Sequence, residues 1–343
     1  MTETRCPTDE TLLPFATGET VTEDLREHVE TCTGCRSRLD RLRCELDEVR
    51  STPPSPVRGS RPPRPAVIGK YLVVGELDSG GQAIVYRALH PTLDKELVIK
   101  LSREPVDAES DDRDLLVREG KMLASLEHPN LARVYDLDFH GDLPFIVMEY
   151  VRGRNLADYA GTRLPPRRAA GIVAAVARAL AVVHRRGIVH QDIKPRNILI
   201  DENDRPKLID FGLARMRHAW EHPDEPFGGT PAYTSPEQAR GDDALVTTRS
   251  DLFSLGGVLY FLLVGHAPFD ARTPDESMER ARRCDFDRAA LDPVRPRRLQ
   301  SICLRALAEK PEERYDSAES LADELERMGH ATSHRMVAEL LHG

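Results

Sequence analysis

Apolar positions along this chain follow two rhythms, and the change from one to the other divides it. Between residues 68 and 149 they alternate with polar ones or gather in short β-branched runs. Residues 71–76, 83–89 and 96–102 read as strands, the first two flanking Ser79-Gly80-Gly81, and 132–139 and 144–149 read as two more. A single helical stretch, 112–126, interrupts them. From Pro165 onward the spacing is helical: AAGIVAAVARALAVVHRRG places apolar residues three and four apart and ends on Gly187. Further helices are predicted over 250–264, 298–309 and 317–328. Strands first and helices afterwards make an α+β class with two lobes.

Upstream, STPPSPVRGSRPPRPA has almost no apolar residue, so 51–67 reads as a linker, partly stiffened as polyproline II. The expected organisation is a small unit at 1–50, the linker, a large domain at 68–330 and a tail at 331–343. Composition narrows this only slightly. Hydrophobic residues make up 40% and charged residues 31%, ordinary for a globular chain. The net charge of −9 argues against broad binding to nucleic acid or anionic membrane, which needs a positive surface. The most apolar stretch, 252–265, is shorter than the roughly 20 residues a bilayer requires. With a polar, acidic start and few cysteines for the length, a cytoplasmic location is expected.

The densest chemistry lies in HQDIKPRNILIDENDRPKLIDFGLA, residues 190–214. Asp192 stands five residues before Asn197, and Asp210 opens Asp-Phe-Gly. Phosphoryl transfer asks for these residue types: a carboxylate to receive a hydroxyl proton, hard oxygen ligands for a divalent cation, and a lysine against phosphate charge. On these residues the chain resembles the Hanks-type (eukaryote-like) bacterial serine/threonine protein kinases over about 68–330. The resemblance implies a bilobal kinase fold, with ATP and Mg²⁺ (or Mn²⁺) as cofactors and Ser/Thr of proteins as substrate. It assigns Asp192 to the substrate hydroxyl, Lys194 to the transferred phosphate and Asn197 and Asp210 to the metal. Lys100 in LVIK would contact the α- and β-phosphates, oriented by Glu119. The loop Leu77, Asp78, Ser79, Gly80, Gly81, Gln82, Ala83, Ile84 and Val85 would cover ATP, with adenine against Glu149 and Val151 and ribose near Asn155. Glu237 would pair with Arg314, and Asp251 would anchor the catalytic loop.

Two departures stand out. The three glycine positions of the loop hold Asp78, Gly80 and Ala83. Asp78 sets a carboxylate where it would repel phosphate, so weakened nucleotide affinity is expected. Gln191 occupies the place of the arginine that receives an activation-segment phosphate, and LARMRHAWEHPDEPFGG contains no Ser, Thr or Tyr. Both features point to activity without phosphorylation of that segment. The alternative from another class is a pseudokinase or scaffold that binds nucleotide or partners without transfer.

Four of the six cysteines fall in the first 50 residues. His28, Cys32 and Cys35 form H-x₃-C-x₂-C, one face of a helix, and Cys6 would complete a tetrahedral Zn²⁺ site. A unit of about 45 residues gains stability from such a metal. Together with LLPFATGE, the pattern resembles the zinc-binding anti-sigma-factor fold. It implies a sigma factor or another regulatory protein as partner, and leaves open an anti-sigma-type binder regulated by nucleotide. Incidental cysteines in a helical cap, or a disulfide between two of them, are the competing readings.

Overall fold

In a computed structural model, the structure describes residues 65–81, 83–107, 110–210 and 231–328, with individual positions between 22 and 39. The chain divides into two compact units, Met1–Pro65 and Ala66–Gly343.

In the second unit, alternation in the sequence becomes an antiparallel sheet. β1 (Val67–Ile68), β2 (Tyr71–Ser79), β3 (Ala83–Leu89), β4 (Glu96–Ser102), β5 (Val134–His140) and β6 (Leu143–Glu149) lie in the order β1-β2-β3-β4-β6-β5. In β4 the two-residue period sends Leu97, Ile99 and Leu101 into a core with Tyr71, Tyr86, Phe145 and Val147. Val98 and Lys100 are left on the opposite face. Helix α1 (Asp111–Ala124) packs on β5 so closely that a Cβ at Gly120 would lie 2.7 Å from Leu137 Cδ1.

The helical lobe is built on α2 (Pro166–His184) and α4 (Thr248–Val264). Pro166 opens α2 without losing a needed donor, and Gly187, at φ +74°, follows its end. α4 begins on a capping box between Thr247 and Ser250, and beyond its polar first turn it is apolar nearly all round and buried throughout, as an enclosed helix must be. Helix α6 (Arg297–Ala306) packs on it where Gly256 leaves room for Ala306. α3 (Pro236–Arg240), α5 (Pro274–Arg283) and α7 (318–328) are the other described α-helices of this unit. A small sheet, β7 (Gly153–Asn155), β8 (Ile198–Asp201) and β9 (Pro206–Leu208), joins the lobes. No described helix is long and apolar enough to cross a membrane.

The strands predicted at 83–89 and 96–102 and the helix at 112–126 correspond to β3, β4 and α1, the helix two residues shorter at its C-terminal end. The strand at 71–76 runs on to Ser79. Residue 67, placed in the linker by composition, pairs with Leu72 as the first residue of β1. The sequence pattern missed α5 because PDESMERARR carries no apolar stripe, burying only Ser277 and Ala281. Residues 51–64 and 331–343 lie outside the described residues.

In the first unit, helical residues occur between 26 and 39, with Cys32 N–H donating to the His28 carbonyl at 2.8 Å and Arg36 N–H to that of Cys32 at 3.0 Å. His28 Nε2 and Cys35 Sγ are 3.4 Å apart, and the ligand atoms of His28, Cys32 and Cys35 lie within 4.8 Å of one another. Cys6 is outside the described residues.

Candidate active site

The loop after α2 is held from beneath. Asp251, in the first turn of α4 and fully buried, accepts the amides of His190 (2.8 Å) and Gln191 (2.7 Å) and faces His184 Nε2 at 2.8 Å. Gln191 sits at φ +61°, in the left-handed region, and its carbonyl accepts Gln238 Nε2 at 3.2 Å. His190 Nδ1 accepts the amide of Asp192 at 3.3 Å, and burial pushes the His190 imidazole below its ordinary pKa.

These constraints present Asp192. Lys194 Nζ lies 2.9 Å from Asp192 Oδ2, and Asn197 Nδ2 donates to the same oxygen at 2.9 Å and to the Asp192 carbonyl at 2.8 Å. Both Asn197 donations come from its amide nitrogen, leaving Oδ1 as an acceptor. The Ile209 amide donates to the Asn197 carbonyl at 2.8 Å, which ties the loop to Asp210 at φ +62°. Asp210 Oδ1 forms an ion pair with Lys100.

One cleft of about 1010 Å³ is lined by Asp192, Lys194, Asn197, Asp210 and Lys100. Leu77, Asp78, Gly80, Gly81, Ala83 and Val85 line it on one side, and Glu149, Val151 and Asn155 on another. Three expected residues are placed elsewhere. Ile84 is buried in the sheet core, Ser79 is not on the cleft, and Glu119 does not line it. Gln82 is outside the described residues. The Lys100–Glu119 pair is not formed. Lys100 is engaged by Asp210, and Glu119 is buried with no ion-pair partner among the described residues, so burial raises its pKa. Glu149 is committed in a way the sequence did not reveal: its N–H donates to the Arg133 carbonyl (2.8 Å), and its carboxylate accepts Lys207 Nζ (2.7 and 2.9 Å). Sequence reasoning also passed over Val98, Leu199 and Ile209, which line the cleft. The available signal was alternation, since Val98 lies two residues before Lys100 on one strand face.

Away from the cleft, Glu237 and Arg314 form a buried bidentate pair at 2.7 and 2.8 Å. Burial raises the Glu237 carboxyl, but the hydrogen bonds and charge of Arg314 outweigh it and hold the pKa below the usual range.

The sequence model of the protein kinase domain matches residues 71–325. The chain belongs to the protein kinase family. The kinase domain is 36% identical over 260 residues to the serine/threonine-protein kinase PrkC of Bacillus subtilis, covering 74% of this chain and 40% of that protein. It is 35% identical over 282 residues to PknB of Mycobacterium tuberculosis, covering 77% and 44%. The chain thus spans less than half the length of these relatives. Among solved structures, the kinase domain of Mycobacterium tuberculosis PknI aligns over 76% of this chain and 97% of that one, with 29% identity and a TM-score of 0.57. The kinase domain described here shares their two-lobed α+β architecture.

Proposed function

We propose that this chain is an ATP-dependent serine/threonine protein kinase whose activity does not require activation-segment phosphorylation. The observation that carries the reading is the convergence of Asp192, Lys194, Asn197, Asp210 and Lys100 on one cleft. Asp192 receives the hydrogen bond, then the proton, of the attacking Ser or Thr hydroxyl, and Lys194, paired with it, offsets γ-phosphate charge. Lys100 serves the α- and β-phosphates, exchanging Asp210 for them. Asn197 Oδ1 and the Asp210 carboxylate are oxygen donors suited to Mg²⁺ or Mn²⁺, which when bound compensates phosphate charge. Gln191 is neutral, so it offers no charged receptor for a phosphate. Residues 211–230, which carry the hydroxyl-free segment, lie outside the described residues.

Phosphate transfer from labelled ATP to a generic protein substrate tests the reading. The wild type should exceed Asp192→Ala by orders of magnitude, and phosphatase treatment should leave the rate unchanged. Equal, near-zero transfer by both would favour the scaffold. For the first unit, the clustering of His28, Cys32 and Cys35 supports a Zn²⁺ site, with Cys6 as proposed fourth ligand and a regulatory protein such as a sigma factor as partner. Zinc should be stoichiometric in purified protein and lost in a Cys32→Ser/Cys35→Ser variant; unchanged zinc would refute the assignment.

A further inference from the structure

We propose that Arg103 is a positioning residue for the nucleotide, strapping the phosphate-covering loop to the strand that bears Lys100; this rests on the kinase reading above. The loop has few amides to spare. The Ser79 N–H donates to Asp78 Oδ1 at 2.8 Å, and the Gly80 N–H donates to the Ala83 carbonyl at 3.0 Å. The first of these bonds occupies an oxygen of the carboxylate that would otherwise face phosphate; the second closes the turn on itself. The turn is then gripped from outside. Arg103 Nε donates to the Gly80 carbonyl at 3.0 Å and Nη2 to Ser79 Oγ at 2.8 Å.

Register explains the reach. Ala83 pairs with Ser102 across β3 and β4, so the residue after Ser102 stands beside the loop tip. Lys100, three residues earlier on the same chain segment, enters the cleft. Loop and lysine are therefore referenced to one strand, and the guanidinium fork makes two bonds that a single ammonium does not reproduce with the same geometry. In a loop with an aspartate and an alanine in place of two glycines, the shape that backbone freedom does not supply comes from this external clamp.

The test is a comparison of Arg103→Ala, Arg103→Lys, Ser79→Ala and the Arg103→Ala/Ser79→Ala double variant of the full chain. Arg103→Ala should raise the KM for ATP about fivefold, as expected for loss of charge-assisted bonds at an exposed site. Its kcat should stay within about twofold, and its melting temperature should be unchanged. Arg103→Lys should fall between Arg103→Ala and the wild type. Ser79→Ala should have a smaller effect, and the double variant should match Arg103→Ala, because Ser79 acts through the guanidinium. The Kd of a non-hydrolysable ATP analogue should shift as KM does. An unaltered KM and Kd in Arg103→Ala would overturn the proposal. So would equal losses of kcat and kcat/KM with a lowered melting point, or additive effects in the double variant. If the wild type transfers no phosphate above Asp192→Ala, the kinase reading fails, and the analogue Kd still decides the strap.

Discussion

Replacing Asp251 by Asn removes a charge and one acceptor while preserving shape, and it separates support of the catalytic loop from its chemistry. The carboxylate uses both oxygens: Oδ2 takes the His190 amide and faces His184, and Oδ1 takes the Gln191 amide. An asparagine offers one oxygen. If that oxygen keeps His190, its NH₂ faces the Gln191 N–H, donor against donor, inside a fully buried site. One lost buried bond costs about 1–3 kcal/mol, and losing charge assistance on the others brings the sum to about 3–4 kcal/mol. For a domain of this size, that is a fall of about 10 °C in melting temperature. Activity should fall with it, because Gln191 at φ +61° leads directly into Asp192, and kcat should drop about tenfold as the proposed base loses its placement. Gln191→Gly supplies an independent check. It relieves about 1 kcal/mol of left-handed strain and should recover a few degrees in the Asp251→Asn background. Thermal melts and transfer assays on the three variants read these effects. A melting point for Asp251→Asn within about 2 °C of wild type would refute the reasoning, since it would mean the buried amides do not depend on the carboxylate.

Arg314→Met leaves Glu237 buried without its cation and strips donors from the carbonyls of Ala308, Arg249 and Glu309; a loss of about 3–5 kcal/mol is expected, partly recovered by adding Glu237→Gln, as read by urea unfolding. Because the folded pKa of Glu237 is lowered, the pair's contribution is present above the ordinary carboxylate pKa and lost as pH falls through the lower folded value. Glu119 has the opposite sign: burial raises its folded pKa, so its cost is absent below the unfolded value and present above the folded one. Glu119→Gln should therefore melt higher than wild type at pH 8, with the gap closing below about pH 4. Burial pushes the Cys284 thiol up to about 11 and raises Cys303 further, so an alkylating reagent at neutral pH should label both only after denaturation, with mass spectrometry as the readout.

What was legible in the chain depended on how far apart the interacting residues lie. β3 and β4 follow from alternation over seven residues each, and the Asp192–Asn197 contact spans five, so local pattern carries both. Glu237–Arg314 spans 77 residues and was still expected, because the family resemblance supplies the pairing that local pattern cannot. Lys100 shows the limit of that help. The resemblance offers it Glu119 as partner, but Asp210 is also a carboxylate in reach, and the choice between them depends on where α1 places Glu119. Burial raises the Glu119 pKa and disfavours its charged form, whereas Asp210 lines the same open cleft as Lys100 and pairs with it there. Arg103 was silent for a different reason. Nothing in SREP distinguishes a clamp from a solvated arginine, and only the Ala83–Ser102 register, a property of two paired strands, brings the guanidinium to the loop. Residue identity thus pointed to the chemistry proposed for the cleft, while the supports around it are set by strand register and burial, which are tertiary quantities.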